Sequence, residues 1–220
     1  MSGRSYEQFC GIARALDLVG ERWALLVVRG LLIGPKRFSD LARDLPGVAT
    51  NVLAARLREL ERDGMVRRRT LPPPAASTVY ELTPYGRELE GPLLALGRWG
   101  AKSMGAREPG QSLRSGWLAV ALKAYFQPEA ALRTTATYEL RLDDGVFGVH
   151  VDRGRLEIEP GPAAAPDLAL ELGDEVLIAL LAGRLDPDAA AAEGLVRLEG
   201  DSGLLPALLE LIRFPRPEAA

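Results

Sequence analysis

The sequence predicts an α+β protein built from two domains. Three observations carry that expectation. Up to about residue 100, apolar residues recur at three- and four-residue spacing, the helical period, interrupted by one pair of short extended segments. Beyond residue 135 the pattern changes to apolar–polar alternation punctuated by Asp-Gly and Arg-Gly turns, the signature of hairpins. The charge changes sign in step. Residues 1–110 hold 17 Lys+Arg against 12 Asp+Glu, and residues 111–220 hold 10 against 18. The Gly- and Pro-rich stretch from Gly105 to Ser112 lies between the two regimes, so the expected domains are 1–106 and 113–220.

Within the first domain, Phe9, Ile12, Ala13, Leu16 and Val19 mark a helix over about 5–19. Trp23 to Leu32 reads as a buried helix stopped by Gly34-Pro35, and Phe38 to Leu45 as a short helix stopped by Pro46-Gly47. Thr50 to Asp63 follows, with Leu53, Leu57 and Leu60 at i, i+4, i+7 and Gly64 as its stop. At about 100° of rotation per residue, Asn51, Ala55, Arg58 and Arg62 fall opposite that stripe, while Arg56 lies beside it. Met65–Leu71 and Thr78–Leu82 read as strands flanking a proline loop. Thr83-Pro84 is an N-cap with Pro at the first helical position, opening one helix that carries Leu89, Leu93, Leu96 and Trp99 toward Gly105.

Helix, helix, short helix, helix, strand, loop, strand, helix is the order of a helix-turn-helix with a β-hairpin wing. Such a motif needs a second helix with one apolar face to dock and one polar face for the major groove, and residues 51–63 divide in that way. Asn pairs with adenine and Arg with guanine; Lys36-Arg37 precede the short helix, where basic groups suit phosphate, and Arg67-Arg68-Arg69 enter the wing. Residues 22–69 hold 11 basic against 5 acidic residues, the electrostatic footprint of a polyanion partner.

Several stretches then resemble one family: CGIARALDLVGERW (10–23), RFSDL (37–41), LPGV (45–48), LAARLREL (53–60), GMV (64–66) and VYELTPYG (79–86) are similar to HxlR-type winged-helix regulators over about 8–104. The resemblance implies a homodimeric bacterial transcription regulator that binds operator DNA. Its dimer contacts would come from the N-terminal helix and the helix after the wing. Candidate DNA-binding residues are Lys36, Arg37, Ser39, Thr50, Asn51, Ala54, Arg56, Arg58, Arg62, Arg69 and Ser77. The wing tip, Pro72 to Ser77, departs from the family pattern in carrying no charge.

In the second domain, Trp117–Phe126 reads as an apolar helix broken by Gln127-Pro128. Strands follow around Tyr138/Leu140/Leu142, Phe147/Val149/Val151, Leu156/Ile158 and Leu168/Leu170/Leu172. Asp174 caps a helix ended by Gly183, Asp186-Pro187 opens another, Leu195–Glu199 is a fifth strand, and Ser202 precedes a last helix to Phe214. The expected layout is an antiparallel-rich five-stranded sheet covered by helices. DRGRLEI (152–158), PDLAL (166–170), LIALLAGRLDP (177–187) and GLVRLEGD (194–201) resemble a sterol-carrier-like domain. That resemblance implies a non-catalytic domain holding an apolar small molecule between sheet and helices. The candidate lining is Trp117, Ala121, Tyr125, Tyr138, Leu140, Phe147, Val149, Leu208 and Ile212, with Phe126 and Phe214 nearby; the same aromatics also suit a solid core.

Other function classes are disfavoured. One cysteine, Cys10, excludes an intrachain disulfide and a cysteine-rich zinc site, and one histidine, His150, leaves little for a metal or a histidine relay. Gly200-Asp-Ser-Gly203 has the form of a serine nucleophile motif, but His150 sits on a strand position without the triad's context. No metal, cofactor, enzymatic activity or membrane partner is expected, and with no apolar run near ~18 residues the expected location is the cytoplasm, on the nucleoid. Cys10, one turn from Arg14, is a candidate redox thiol or a small hydrophobe in a dimer core. The alternative function is a lipid-carrier or interaction module whose winged helix serves only dimerisation.

Overall fold

The structure, a computed structural model, describes residues 5–73, 76–105 and 107–215. The chain divides into two compact units, residues 1–93 and 94–220.

The first unit contains α1 (Gly11–Val19), α2 (Ala24–Leu32), α3 (Phe38–Asp44), α4 (Thr50–Arg62), the antiparallel strands β1 (Val66–Thr70) and β2 (Thr78–Leu82), and α5 (Pro84–Arg87). Its core is the apolar faces of α2 and α4. Val27, Val28 and Leu31 are wholly buried, as is Leu53, and Leu57 and Leu60 expose 1% each. Leu41 of α3 and Leu45 close the same core. Burying each such leucine is worth about 1.5–3 kcal/mol, so this packing holds α4 in one rotational setting. The base of the wing is fixed by Thr83. Its Oγ1 donates to the Gly64 carbonyl at 2.6 Å and accepts the Gly86 N–H at 3.0 Å, capping α5. Gly86 is required there, because a Cβ would sit 2.0 Å from the Met65 carbonyl oxygen.

Two helices before residue 105 differ from the sequence-based expectation. The first begins at Gly11, not near residue 5. Glu7 has φ 53°, and Asp17 accepts from Ser5 Oγ and the Tyr6 N–H, which folds residues 5–7 back onto α1. The helix expected from Thr83 through Trp99 is two, α5 and α6 (Glu90–Ala101), with a turn at 88–89. Pro92 lacks the N–H that would bond the Glu88 carbonyl, and its ring crowds that carbonyl. None of the residues of α6 is buried. The contact boundary therefore falls inside this helix, earlier than the Gly/Pro stretch.

The second unit is an α+β layer. Its mixed sheet has the order β5-β4-β3-β6-β7, from β3 (Thr135–Leu142), β4 (Gly145–Asp152), β5 (Arg155–Pro160), β6 (Leu168–Leu172) and β7 (Val196–Gly200). All neighbours are antiparallel except β3 and β6. Tyr138 pairs with Val149 and Leu140 with Phe147, so these four share one face, all 6% exposed or less. The helices are α7 (Ser115–Tyr125), α8 (Asp174–Leu181), α9 (Pro187–Ala192) and α10 (Leu204–Leu211). α7 packs on β4 and β5, and α9 beside β7. The chain between β5 and β6 crosses the opposite face, where buried Glu139 accepts the Ala163 N–H (2.9 Å) and Arg141 Nε (2.7 Å). Asp186 caps α9 as expected. Asp174 is instead the first residue of α8 behind an N-cap at Gly173, and α10 starts after Gly203 and ends at Leu211, three residues short of Phe214. At the GDSG segment, Asp201 accepts the Gly203 N–H, a turn and not a nucleophile elbow.

A polar clip joins the start of α7, the β3–β4 turn and the start of α8. Ser115, wholly buried, donates from Oγ to Asp174 Oδ1 (2.8 Å) and accepts the Asp144 N–H (3.1 Å). Asp174 N–H donates to Asp143. Burial raises the Asp174 pKa, the Ser115 hydrogen bond opposes this, and the charges of Asp143 and Asp144 raise it further, for a net increase. A folded-state pKa above the unfolded value means the folded chain binds more protons in that window, so this group's contribution to stability declines as pH rises through it. Asp174→Asn keeps an acceptor for Ser115. It should therefore raise the melting temperature at neutral pH, with the gain vanishing as pH falls below the carboxylate range; a variant less stable at every pH contradicts this.

Candidate nucleic-acid interface

The surface opposite the Leu53–Leu57–Leu60 stripe is polar and open. Thr50, Asn51, Arg58 and Arg62 are exposed, and Ala54 is half-buried between them. Arg58 Nε donates to the Ala54 carbonyl at 3.2 Å, which lays the side chain back along the helix. Arg62 is held by Asp63, with Nε to Oδ1 at 3.0 Å, and that hydrogen bond and charge raise its pKa. Arg37 and Ser39 are exposed at the start of α3. The structure brings Arg37 together with the wing residue Ser77, Nε to Oγ 3.1 Å. A two-residue backbone bridge between Lys36 and Tyr80 extends the wing by a third segment.

Two candidate cations are committed elsewhere. Lys36 is a half-buried partner of Asp44, and Arg56, its side chain 16% exposed, bridges Glu59 (2.7 Å) and Glu21 (3.6 Å). Arg56 thus ties α4 to the segment before α2. Its place beside the apolar stripe, visible in the helical spacing, put it within reach of those carboxylates.

The wing arginines are also paired. Arg67 and Arg69 lie on one face of β1 and converge on Glu81 of β2, with Nε–O distances of 2.8 and 2.9 Å. Arg68 points to the other face and meets Glu61 of α4 at 2.9 Å. Burial alone would raise the Glu81 pKa, but the hydrogen bonds and charges of Arg67 and Arg69 outweigh it and hold the carboxyl below its ordinary value. Glu81 was missed as a site residue in the sequence; its i, i+2 counterparts on an adjacent strand were the available signal. Of the uncharged tip, Pro74 and Ala75 lie outside the described residues.

Away from this surface, Cys10 is exposed at the N-cap of α1, and the N–H groups of Ala13 and Ile12 lower its pKa. Phe9, Ile12 and Leu16 are exposed apolar residues of the N-terminal segment and α1, as are Leu96 and Trp99 of α6. Beside α1 an open groove of about 280 Å³ is lined by Arg14, Leu18, Met65, Tyr85 and Leu89 among others.

In the second unit the expected pocket residues separate into two groups. Tyr138, Leu140, Phe147, Val149, Leu208 and Ile212 are buried, whereas Trp117, Ala121 and Tyr125 are half-buried on α7, whose buried residues are Ser115, Leu118, Ala119, Val120, Leu122 and Ala124. Tyr125 stacks at a tilt on Phe214, centroids 5.0 Å apart. The Tyr138 hydroxyl is buried with no hydrogen-bond partner among the described residues, and burial raises its pKa. His150 Nδ1 meets Thr137 Oγ1 at 3.3 Å, a structural contact between β3 and β4. Among the described residues there is no His/Cys/Asp/Glu group suited to a metal, and no helix is long and apolar enough to cross a membrane.

Comparison with known proteins places both halves. The model of the HxlR-like helix-turn-helix family matches residues 18–108. The HTH-type transcriptional regulator YdeP of Bacillus subtilis is 34% identical over 42% of this chain and 73% of its own length. The chain belongs to the HxlR-like helix-turn-helix family. YodB, another HTH-type transcriptional regulator of Bacillus subtilis, is 35% identical over 39% of this chain and 76% of its own length. The model of the SCP-2 sterol transfer family matches residues 121–213, so the HxlR-like region is followed by a sterol-carrier-like one, as the sequence motifs implied. A solved structure of the sec-alkylsulfatase Pisa1 from Pseudomonas sp. is similar at 21% identity and TM-score 0.47 over 54% of this chain, but only 19% of that enzyme is spanned.

Proposed function

We propose that this chain is a bacterial transcriptional regulator that binds operator DNA as a homodimer, in the cytoplasm, and is modulated by an apolar ligand in its sterol-carrier-like domain. The functional division follows the sequence boundary, 1–106 for DNA binding and dimerisation and 113–220 for the ligand. One observation carries the DNA reading: the buried leucine stripe of α4 leaves Thr50, Asn51, Arg58 and Arg62 on one exposed face. That is the arrangement a recognition helix needs to reach base edges. Arg37 and Ser77 lie beside each other where the third helix meets the wing, suited to phosphate. The exposed Phe9, Ile12, Leu16, Leu96 and Trp99 support a self-complementary interface with a second copy.

Asn51→Ala and Arg58→Ala test the reading directly. Each should weaken operator binding by about 1–3 kcal/mol and relax discrimination at one base position, leaving the melting temperature unchanged. A folded double variant that binds its operator like the wild type contradicts it.

The ligand reading rests on the sterol-carrier match and on the Tyr138 hydroxyl, a buried polar group without a partner that could orient an apolar molecule. The full chain titrated with a fluorescent fatty acid should bind saturably and shift operator affinity by about 1–3 kcal/mol. Tyr138→Phe should weaken that binding without destabilising the ligand-free chain, since an unpaired buried hydroxyl stabilises nothing. No saturable binding contradicts the ligand role.

A further inference from the structure

Arg67 and Arg69 are two residues apart on β1, so their side chains leave the strand on one face. Glu81 stands opposite Arg67 in the antiparallel register. Each carboxylate oxygen takes one arginine. Arg67 Nε and Nη2 both reach Oε1 at 2.8 Å, and Arg69 Nε reaches Oε2 at 2.9 Å. The acid is nearly buried, its side chain 9% exposed, while Arg67 and Arg69 are 63% and 46% exposed. One end of each guanidinium is therefore anchored and the other faces solvent. The contacts to Glu81 run through Nε and Nη2 of Arg67 and Nε of Arg69, and both side chains are about half exposed or more.

We propose that Arg67 and Arg69 form a preassembled clamp for one backbone phosphate of bound DNA, with Glu81 as its positioning residue. The inference rests on the DNA-binding reading above and adds to it a second phosphate contact, built from Arg67 and Arg69 on Glu81. Two guanidinium groups on one carboxylate leave a local charge of +1 (two cations less one anion). Phosphate accepts forked N–H pairs from arginine, and groups ordered before binding lose less side-chain freedom on binding. Arg68, between them, faces away and is held by Glu61, so the clamp takes only alternate residues of the basic run. This also gives the wing a charged backbone contact on β1, beside a tip that carries no charge.

The simplest competing account is that Glu81 only neutralises two arginines, and the two accounts differ in sign. Fluorescence anisotropy would use the full chain and two labelled duplexes, the region upstream of its own gene and a scrambled sequence of equal composition. Arg67→Lys with Arg69→Lys preserves net charge but loses the forks, and should weaken binding to both duplexes alike by about tenfold. Glu81→Gln adds positive charge, yet should weaken both by about threefold because the guanidinium groups lose their anchor. A Glu81→Gln chain that binds as tightly as the wild type or tighter overturns the clamp, as does a lysine pair that matches the wild type or a loss confined to one duplex. If Glu81→Gln lowers the melting temperature, the lysine pair alone decides. A wild type that binds neither duplex overturns the DNA reading and the clamp together; a wild type that binds while the variants match it overturns the clamp alone.

Discussion

The leucine stripe of α4 is the constraint on which the first unit depends. A 13-residue helix with five charged residues has little reason to hold one rotational setting by itself. Burying Leu53, Leu57 and Leu60 against α2 sets its rotation, and a turn of one residue would move every polar side chain by about 100°. The setting of α4 decides that Asn51 and Arg58 face outward and that Arg56 meets Glu21 and Glu59. It also decides where β1 begins: Met65 and Val66 continue the core directly after Gly64, and Thr83 and Gly86 close onto that turn. Packing chooses the interface before any charge acts.

Charge then grades the surface that packing exposes. The basic excess over 22–69 overstates the field, because among the described residues six acids lie within salt-bridge reach of arginines there: Glu21, Asp40, Glu59, Glu61, Asp63 and Glu81. The more exposed of these pairs, such as Arg68–Glu61, contribute little to stability, about 0–1 kcal/mol each. Their effect is on geometry, since they fix where a guanidinium sits when a polyanion arrives. The second unit is acidic by composition and places two polar clusters within its packing, the Ser115–Asp174 clip and the Glu139–Arg141 pair.

Much of this was legible in the sequence. The helices of the first unit, the wing strands and all five strands of the sheet follow from period and turn chemistry, because each signal is local. Several helix boundaries were not, and two show why. The start of α1 depends on Asp17 reaching back to Ser5 and Tyr6, and the break before α6 on Pro92 acting four residues upstream. The site was legible in its exposed face, but not in its pairings. That Arg56 and Lys36 are consumed by acids, and that Glu81 gathers two arginines, depends on contacts between elements that spacing along one element does not display. The half-buried setting of Trp117 and Tyr125 escaped for a related reason. A helix apolar on nearly every side, such as α7, gives no sign of which side the sheet will take.

The central claim is that α4 presents one polar face to the major groove in each of two copies. Hydroxyl-radical footprinting of the full chain on the DNA upstream of its gene tests it most directly. The account predicts two protected half-sites on one face of the duplex, one helical turn or a multiple apart, about 34–36 Å centre to centre for a single turn. A single protected patch, or uniform protection without phasing, would contradict it.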